Sequence, residues 1–69
     1  MEEFKLENSE FIELHHLLKT MGLCESGGMA KAVIAGGLVK VDGMMETRKR
    51  CKIRSGQTVE FEGRKVIVK

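Results

Sequence analysis

The chain reads as an α+β domain in which an αα-hairpin packs on a small antiparallel β-sheet. Three observations predict this. Apolar residues between Glu10 and Met21 recur at helical spacing. The stretch from Ser26 to Gly43, SGGMAKAVIAGGLVKVDG, runs from a hydroxyl through a short helix to a strand and a turn. Two β-branched segments, 58–62 and 65–69, then alternate with period two. There is no internal repeat, linker or low-complexity segment, so residues 1–69 form a single domain.

In chain order, Phe4-Lys5-Leu6-Glu7 alternates as a short edge strand does. Asn8 or Ser9 can cap a helix from Glu10 to Met21, with Phe11, Leu14, Leu18 and Met21 on one stripe and Ile12 and Leu17 widening it. Glu10 and Glu13 near its start suit the helix dipole, and Gly22 offers a left-handed stop with Leu23 packing back. Ser26 can accept a hydrogen bond from the free N–H groups of a second helix. Met29, Ala30, Val33 and Ile34 share one face there, and Ala30, Ala32 and Ala35 permit close approach. Gly36 and Gly37 end that helix, Leu38 to Val41 alternate as a strand, and Asp42-Gly43 suits a type I′ turn that folds the chain back along Met44 and Met45. Thr47 to Ile53 reads as a basic connector. Ser55-Gly56 and Gly63-Arg64 read as turns around the segment with Val59 and Phe61 inward, and the last strand can pair with both its hairpin partner and the Phe4 strand.

Composition narrows the chemistry. With 42% apolar residues and no Trp, Tyr or Pro, the core is built from Leu, Ile, Val and Met plus Phe4, Phe11 and Phe61, and it is small. The net charge of +2 hides an asymmetry. Met1 to Glu25 carries six acids against two bases, net −4, whereas Ser26 to Lys69 carries ten bases against four acids, net +6. Thr47 to Arg54, TRKRCKIR, holds five bases and no acid, a pattern that suits an anion-binding surface. Two cysteines, without a signal peptide, lipidation motif or spanning segment, fit a reducing cytoplasm.

Catalysis is hard to assemble from these residues, and no enzyme is expected. The only aspartate is Asp42, which the turn explains, and no serine lies in a nucleophile elbow. His15, His16, Cys24 and Cys51 lack structural zinc spacing, so neither metal nor cofactor is expected. One histidine is expected half-buried beside the second helix and the other exposed. Cys24 is expected to pack in the interhelical turn, and Cys51, between bases, to have a lowered thiol pKa. Gly27 and Gly28 match no nucleotide-binding loop, yet they leave backbone N–H groups at a helix start open to an oxyanion, with Lys31 one turn on. Lys31, Lys40, Arg48, Lys49, Arg50, Lys52 and Arg54 are expected along one side, where phosphate contacts would supply most of the affinity. Exposed aromatics for stacking are few, which favours a structured RNA over a single strand.

The chain resembles the S-four RNA-binding domain family, named after ribosomal small-subunit protein four. The resemblance lies in a Leu helix, Gly-Leu, a Ser-headed second helix with Ala and a base, and Gly-x-Val-x-Val followed by a turn, matched without gaps from Leu14 to Gly43. Ser26 to Lys31 and Glu46 to Arg50 also match small stand-alone bacterial members of that family. The resemblance implies the αL motif and an RNA-binding module, and the domain is expected to be a cytoplasmic monomer. Its implied partner is ribosomal RNA, a ribosomal particle or another folded RNA, with no membrane involved. It also implies contacts from Lys31 and Lys40. Glu13 and Gly27 stand where the family often has arginine, and Asp42 where it often has asparagine. These departures move the expected site from the first helix to Ser26, Gly27, Gly28 and the 48–54 loop. The other expected use of the basic face is as an adaptor for an acidic protein partner.

Overall fold

The computed structural model describes residues 1–69. The elements are β1 (Glu2–Phe4), β2 (Ile12–Glu13), α1 (Leu14–Thr20), α2 (Gly27–Ala35), β3 (Val39–Val41), β4 (Met44–Met45), β5 (Lys52–Ile53), β6 (Thr58–Phe61) and β7 (Arg64–Val68). Five strands form one sheet in the order β1-β7-β6-β3-β4, and β2 pairs with β5 in a separate two-stranded ribbon. Every pairing is antiparallel except β1 with β7, which is parallel, so the larger sheet is mixed. The αα-hairpin covers the sheet as the sequence predicts.

One core joins all the elements. Leu14, Leu17 and Leu18 from α1, Ala30 and Ile34 from α2, Ile53 from the ribbon, and Val39, Val59, Phe61, Val66 and Val68 from the sheet belong to a single buried cluster. The strand alternation sorts side chains as expected. Val39 and Val41 point inward and Lys40 outward, while Val59 and Phe61 point inward. The face predicted for the second helix is narrower than expected, because Met29 is exposed and Val33 half-buried while Ala30 and Ile34 carry the contact. Ala32 and Ala35 are exposed, leaving Ala30 alone at the buried position.

The first helix is shorter than its apolar stripe implies. It starts at Leu14 rather than Glu10, its cap position is Glu13, and neither Asn8 nor Ser9 caps it. The cause is β2. Ile12 and Glu13 are drawn into register with Ile53 and Lys52, so that Ile12 is buried while Phe11 and Glu13 face outward. The helix start is capped by distant backbone instead. The Leu14 and His15 N–H groups donate to the Cys51 and Lys49 carbonyls at 2.9 and 3.1 Å. At the other end Gly22 adopts φ +73°, and Arg64 donates from Nη1 to the Gly22 carbonyl at 3.3 Å while holding Glu2 through Nε and Nη2. Seven residues make too short a helix to persist alone, and both of its ends are fixed by the second half of the chain.

Three smaller boundaries also move. The first strand covers Glu2–Phe4 rather than residues 4–7, although the Leu6 N–H still donates to Lys69 O. The connector ends in a strand, β5, because Ile53 enters the core opposite Ile12. The last turn is Glu62-Gly63, both at positive φ, so Arg64 already belongs to β7. Asp42 and Gly43 have φ of 52° and 81°, as a type I′ turn requires.

Candidate functional site

The basic connector lies across the start of α1. Its path is set by β4, after which the Glu46 N–H donates to Val39 O, and by the two carbonyls that cap the helix. Between these anchors, Glu46 closes the loop on itself. Its carboxylate accepts from the Arg48 backbone N–H at 2.9 Å and from Arg48 Nε and Nη2, both at 3.0 Å. This grip, Arg48's side chain first, holds the Glu46 carboxyl down at a pKa of about 2, against an ordinary 4.5. Arg48 is therefore partly neutralised and tethered, whereas the equally exposed Lys49 and Arg50 form no salt bridge. Arg48, Arg50, Cys51 and Lys52 line one shallow hollow of about 420 Å³.

Cys51 departs from expectation. Burial and the neighbouring Glu46 carboxylate push its thiol pKa up, outweighing the adjacent bases, and Arg48 Nη2 sits 3.8 Å from its sulfur. Burial likewise raises Cys24, which is buried at the interhelical turn. Among the histidines, His15 is half-buried and His16 exposed, and His15 Nε2 donates to Glu13 Oε1 at 2.8 Å, a bond that lowers the Glu13 pKa.

Arg54 and Lys52 stand on the outward face of the ribbon. Both lie over the Phe11 ring, with Lys52 Nζ at 5.0 Å and Arg54 Cζ at 5.7 Å from its centroid. Such stacking holds cations in place while leaving their outer faces wet. The Arg54 backbone is fixed as well: its N–H donates to Gln57 Oε1, Gln57 Nε2 donates to Asp42 Oδ2, and Asp42 Oδ1 accepts from the Thr58 N–H. The turn aspartate thus braces the end of the basic stretch.

At the second helix, Ser26 Oγ accepts from the Met29 N–H at 3.1 Å, which satisfies one of the four opening donors, and the helical ladder begins with the Ala30 N–H donating to Ser26 O. A side chain at Gly27 would meet nothing within 4 Å, and at Gly28 only Ser26 Oγ at 3.9 Å. Packing does not require either glycine, and their effect is to leave the backbone amides bare. Lys31 is exposed one turn on.

The structure therefore brings Arg48, Lys49, Arg50, Lys52 and Arg54 together at the α1 start. Ser26, Gly27, Gly28 and Lys31 form a second group, across the interhelical turn from the other end of α1. Lys40 joins neither. It lies on the sheet face turned away from the helices, in register with Glu60 and Met45. Phe11 and Glu46 are the members that sequence reasoning missed. The alternation of Phe11, Ile12, Glu13 and Leu14 was a signal for the ribbon, but it also fits the helical stripe.

Glu46 gives the site a measurable pH signature. Its folded pKa lies below the ordinary value, so its contribution is complete above about pH 4.5 and disappears as pH falls toward 2. Glu46→Gln is expected to cost no more than about 1 kcal/mol, given the exposure of Arg48, and to speed amide exchange at Arg48. An Arg48 Nε–H signal titrating in the wild type with a midpoint near 4.5 would show that the grip is absent.

These features define a small α+β module that carries a cationic ribbon beside a two-helix hairpin. The chain belongs to the S4 domain family, whose pattern matches residues 4–69. It is 56% identical over 68 residues to the protein named "Putative RNA-binding protein YbcJ" of Escherichia coli strain K12, covering 99% of this chain and 97% of the relative, and it matches YbcJ of Shigella flexneri to the same extent. The solution structure of E. coli YbcJ, described as revealing an αL motif involved in RNA binding, superposes with a TM-score of 0.75 and covers 99% of this chain and 86% of that one.

Proposed function

We propose that this protein is a non-enzymatic binder of structured RNA, with ribosomal RNA or a ribosomal particle as its partner, acting as a monomer in the bacterial cytoplasm. The observation that carries this reading is the five-base, acid-free run held rigidly across the start of α1 by backbone bonds, the Glu46 grip and Phe11. Preorganised cations lose little freedom when they meet phosphates, and phosphate contacts dominate nucleic-acid affinity. Lys49, Arg50, Lys52 and Arg54 supply the main contacts, with Arg48 as the rigid corner of the loop. The bare amides of Gly27 and Gly28, with Ser26 and Lys31, form a second phosphate contact a helix length away. Lys40 contributes to the general positive field from the sheet face. The family membership and the RNA-binding description of the E. coli relative support the same partner class.

The test is fluorescence anisotropy of labelled ribosomal RNA hairpins, beside a single strand of equal length, across a salt series. The wild type is expected to favour the hairpins and to lose affinity steeply with salt. Lys49→Glu combined with Arg50→Glu is expected to reduce the salt slope by about two while changing stability by less than about 0.5 kcal/mol. Equal affinity from the folded double variant would remove this loop from the site. Absence of binding at low salt would turn the basic face over to an acidic protein partner.

A further inference from the structure

A groove of about 290 Å³ lies on the side of the ribbon where the cations do not form the wall. Its apolar lining includes Phe4, Leu6 and Phe11, and its polar lining includes Ser9 and Glu13. Phe11 is therefore shared. It lines the groove, while Lys52 and Arg54 lie over its ring. An aromatic wall, a polar edge and two cations within about 6 Å of that aromatic are the parts that hold one nucleotide: base against ring, phosphate against charge. The groove is too small for a large ligand and takes one planar ring. Glu13 Oε1 is occupied by His15, while Oε2 has no protein partner and can accept an N–H from a base edge.

We infer that this groove receives a single unpaired RNA base, stacked on Phe11, with its flanking phosphates on Lys52 and Arg54. The inference rests on the RNA-binding reading and sharpens it. The preferred RNA is a stem with one extruded or looped-out nucleotide beside it, so that the stem lies on the basic loop while the base enters the groove. The charge of the two cations selects a nucleotide over an apolar peptide side chain, which would leave them facing nothing of opposite sign.

The experiment compares two hairpins identical except for one unpaired 2-aminopurine beside the stem. Wild-type protein is expected to bind the hairpin with the unpaired base about tenfold more tightly than the fully paired one, and to change its 2-aminopurine fluorescence. Phe11→Leu removes the stacking face while keeping an apolar side chain, and Ser9→Phe fills the groove from an exposed position while leaving residue 11 a phenylalanine. Both variants are expected to abolish the tenfold preference and the fluorescence change, and Ser9→Phe to keep wild-type affinity for the paired hairpin. Equal, salt-sensitive binding of the two hairpins by the wild type would overturn the base site and leave the RNA reading standing. Binding of neither hairpin would overturn both. Concentration-dependent chemical-shift changes at Phe4, Leu6 and Phe11 without RNA would place a second copy of the chain in the groove and overturn the inference.

Discussion

Ile53→Ala is expected to destabilise the domain by about 2–5 kcal/mol, the usual cost of removing three carbons from a buried site. Ile53 is fully buried, opposite Ile12 in a ribbon only two residues long, and it belongs to the single buried cluster that joins the ribbon to the helices and the sheet. A domain of this size holds only about 3–5 kcal/mol from its core, so the variant is expected to be largely unfolded at room temperature. Urea denaturation checks this, with Ile53→Val as the conservative control at about 1 kcal/mol. In whatever folded fraction remains, the Leu14 and His15 amides are expected to exchange faster, because their acceptors sit on the segment that Ile53 anchors. A cost below 1 kcal/mol for the alanine variant would show that the ribbon is peripheral to the core.

Gly37→Ala is expected to cost about 2–3 kcal/mol from two separable sources. The first is backbone: at φ +77° an L side chain is strained by about 1–2 kcal/mol. The second is steric, since the added Cβ would lie 2.7 Å from Met45 Sδ. Met45 is exposed and flexible, so it can swing aside at a cost of about 1 kcal/mol. Removing that side chain in a Gly37→Ala, Met45→Ala double variant is expected to recover the steric part and leave the backbone part. Thermal denaturation of the four-member cycle measures the coupling. Full recovery in the double variant would mean that Gly37 is needed for space alone, and no recovery would mean that Met45 is not its neighbour.

Much of this fold was readable locally. Ser26, Gly22, Gly37 and the Asp42-Gly43 turn act through their own backbone or within three residues of it, and they do what their chemistry predicts. The start of the first helix was not readable in this way. The stripe of Phe11, Leu14 and Leu18 is genuine periodicity, but Ile12 and Glu13 are claimed by Ile53 and Lys52, a pairing about forty residues distant in sequence. The same non-local contact puts Phe11 under two cations instead of in the core. Within the basic stretch the charges were plain, while their pairing was not. A lone Glu46 two residues from Arg48 reads as an unremarkable surface acid until the loop closes and three donors converge on it. The raised thiol pKa of Cys51 has the same origin, since closure of the loop buries the sulfur and sets the Glu46 carboxylate near it, and together these outweigh the adjacent Arg48. Lys40 was placed on the right strand, and only the sheet register reveals that it faces away from the helices.

The parallel pairing of β1 with β7 bears on how the molecule is made. Residues 2–4 are made before residues 66–68, and their hydrogen-bonding edge waits for Val66 to Val68. The first helix likewise waits for residues 49–51 before its opening amides have acceptors. Synthesis from the N-terminus cannot lay this domain down piece by piece. β1 and the start of α1 therefore gain their partners only once those later segments are in place, and the basic loop and the elements it anchors complete their hydrogen bonding together.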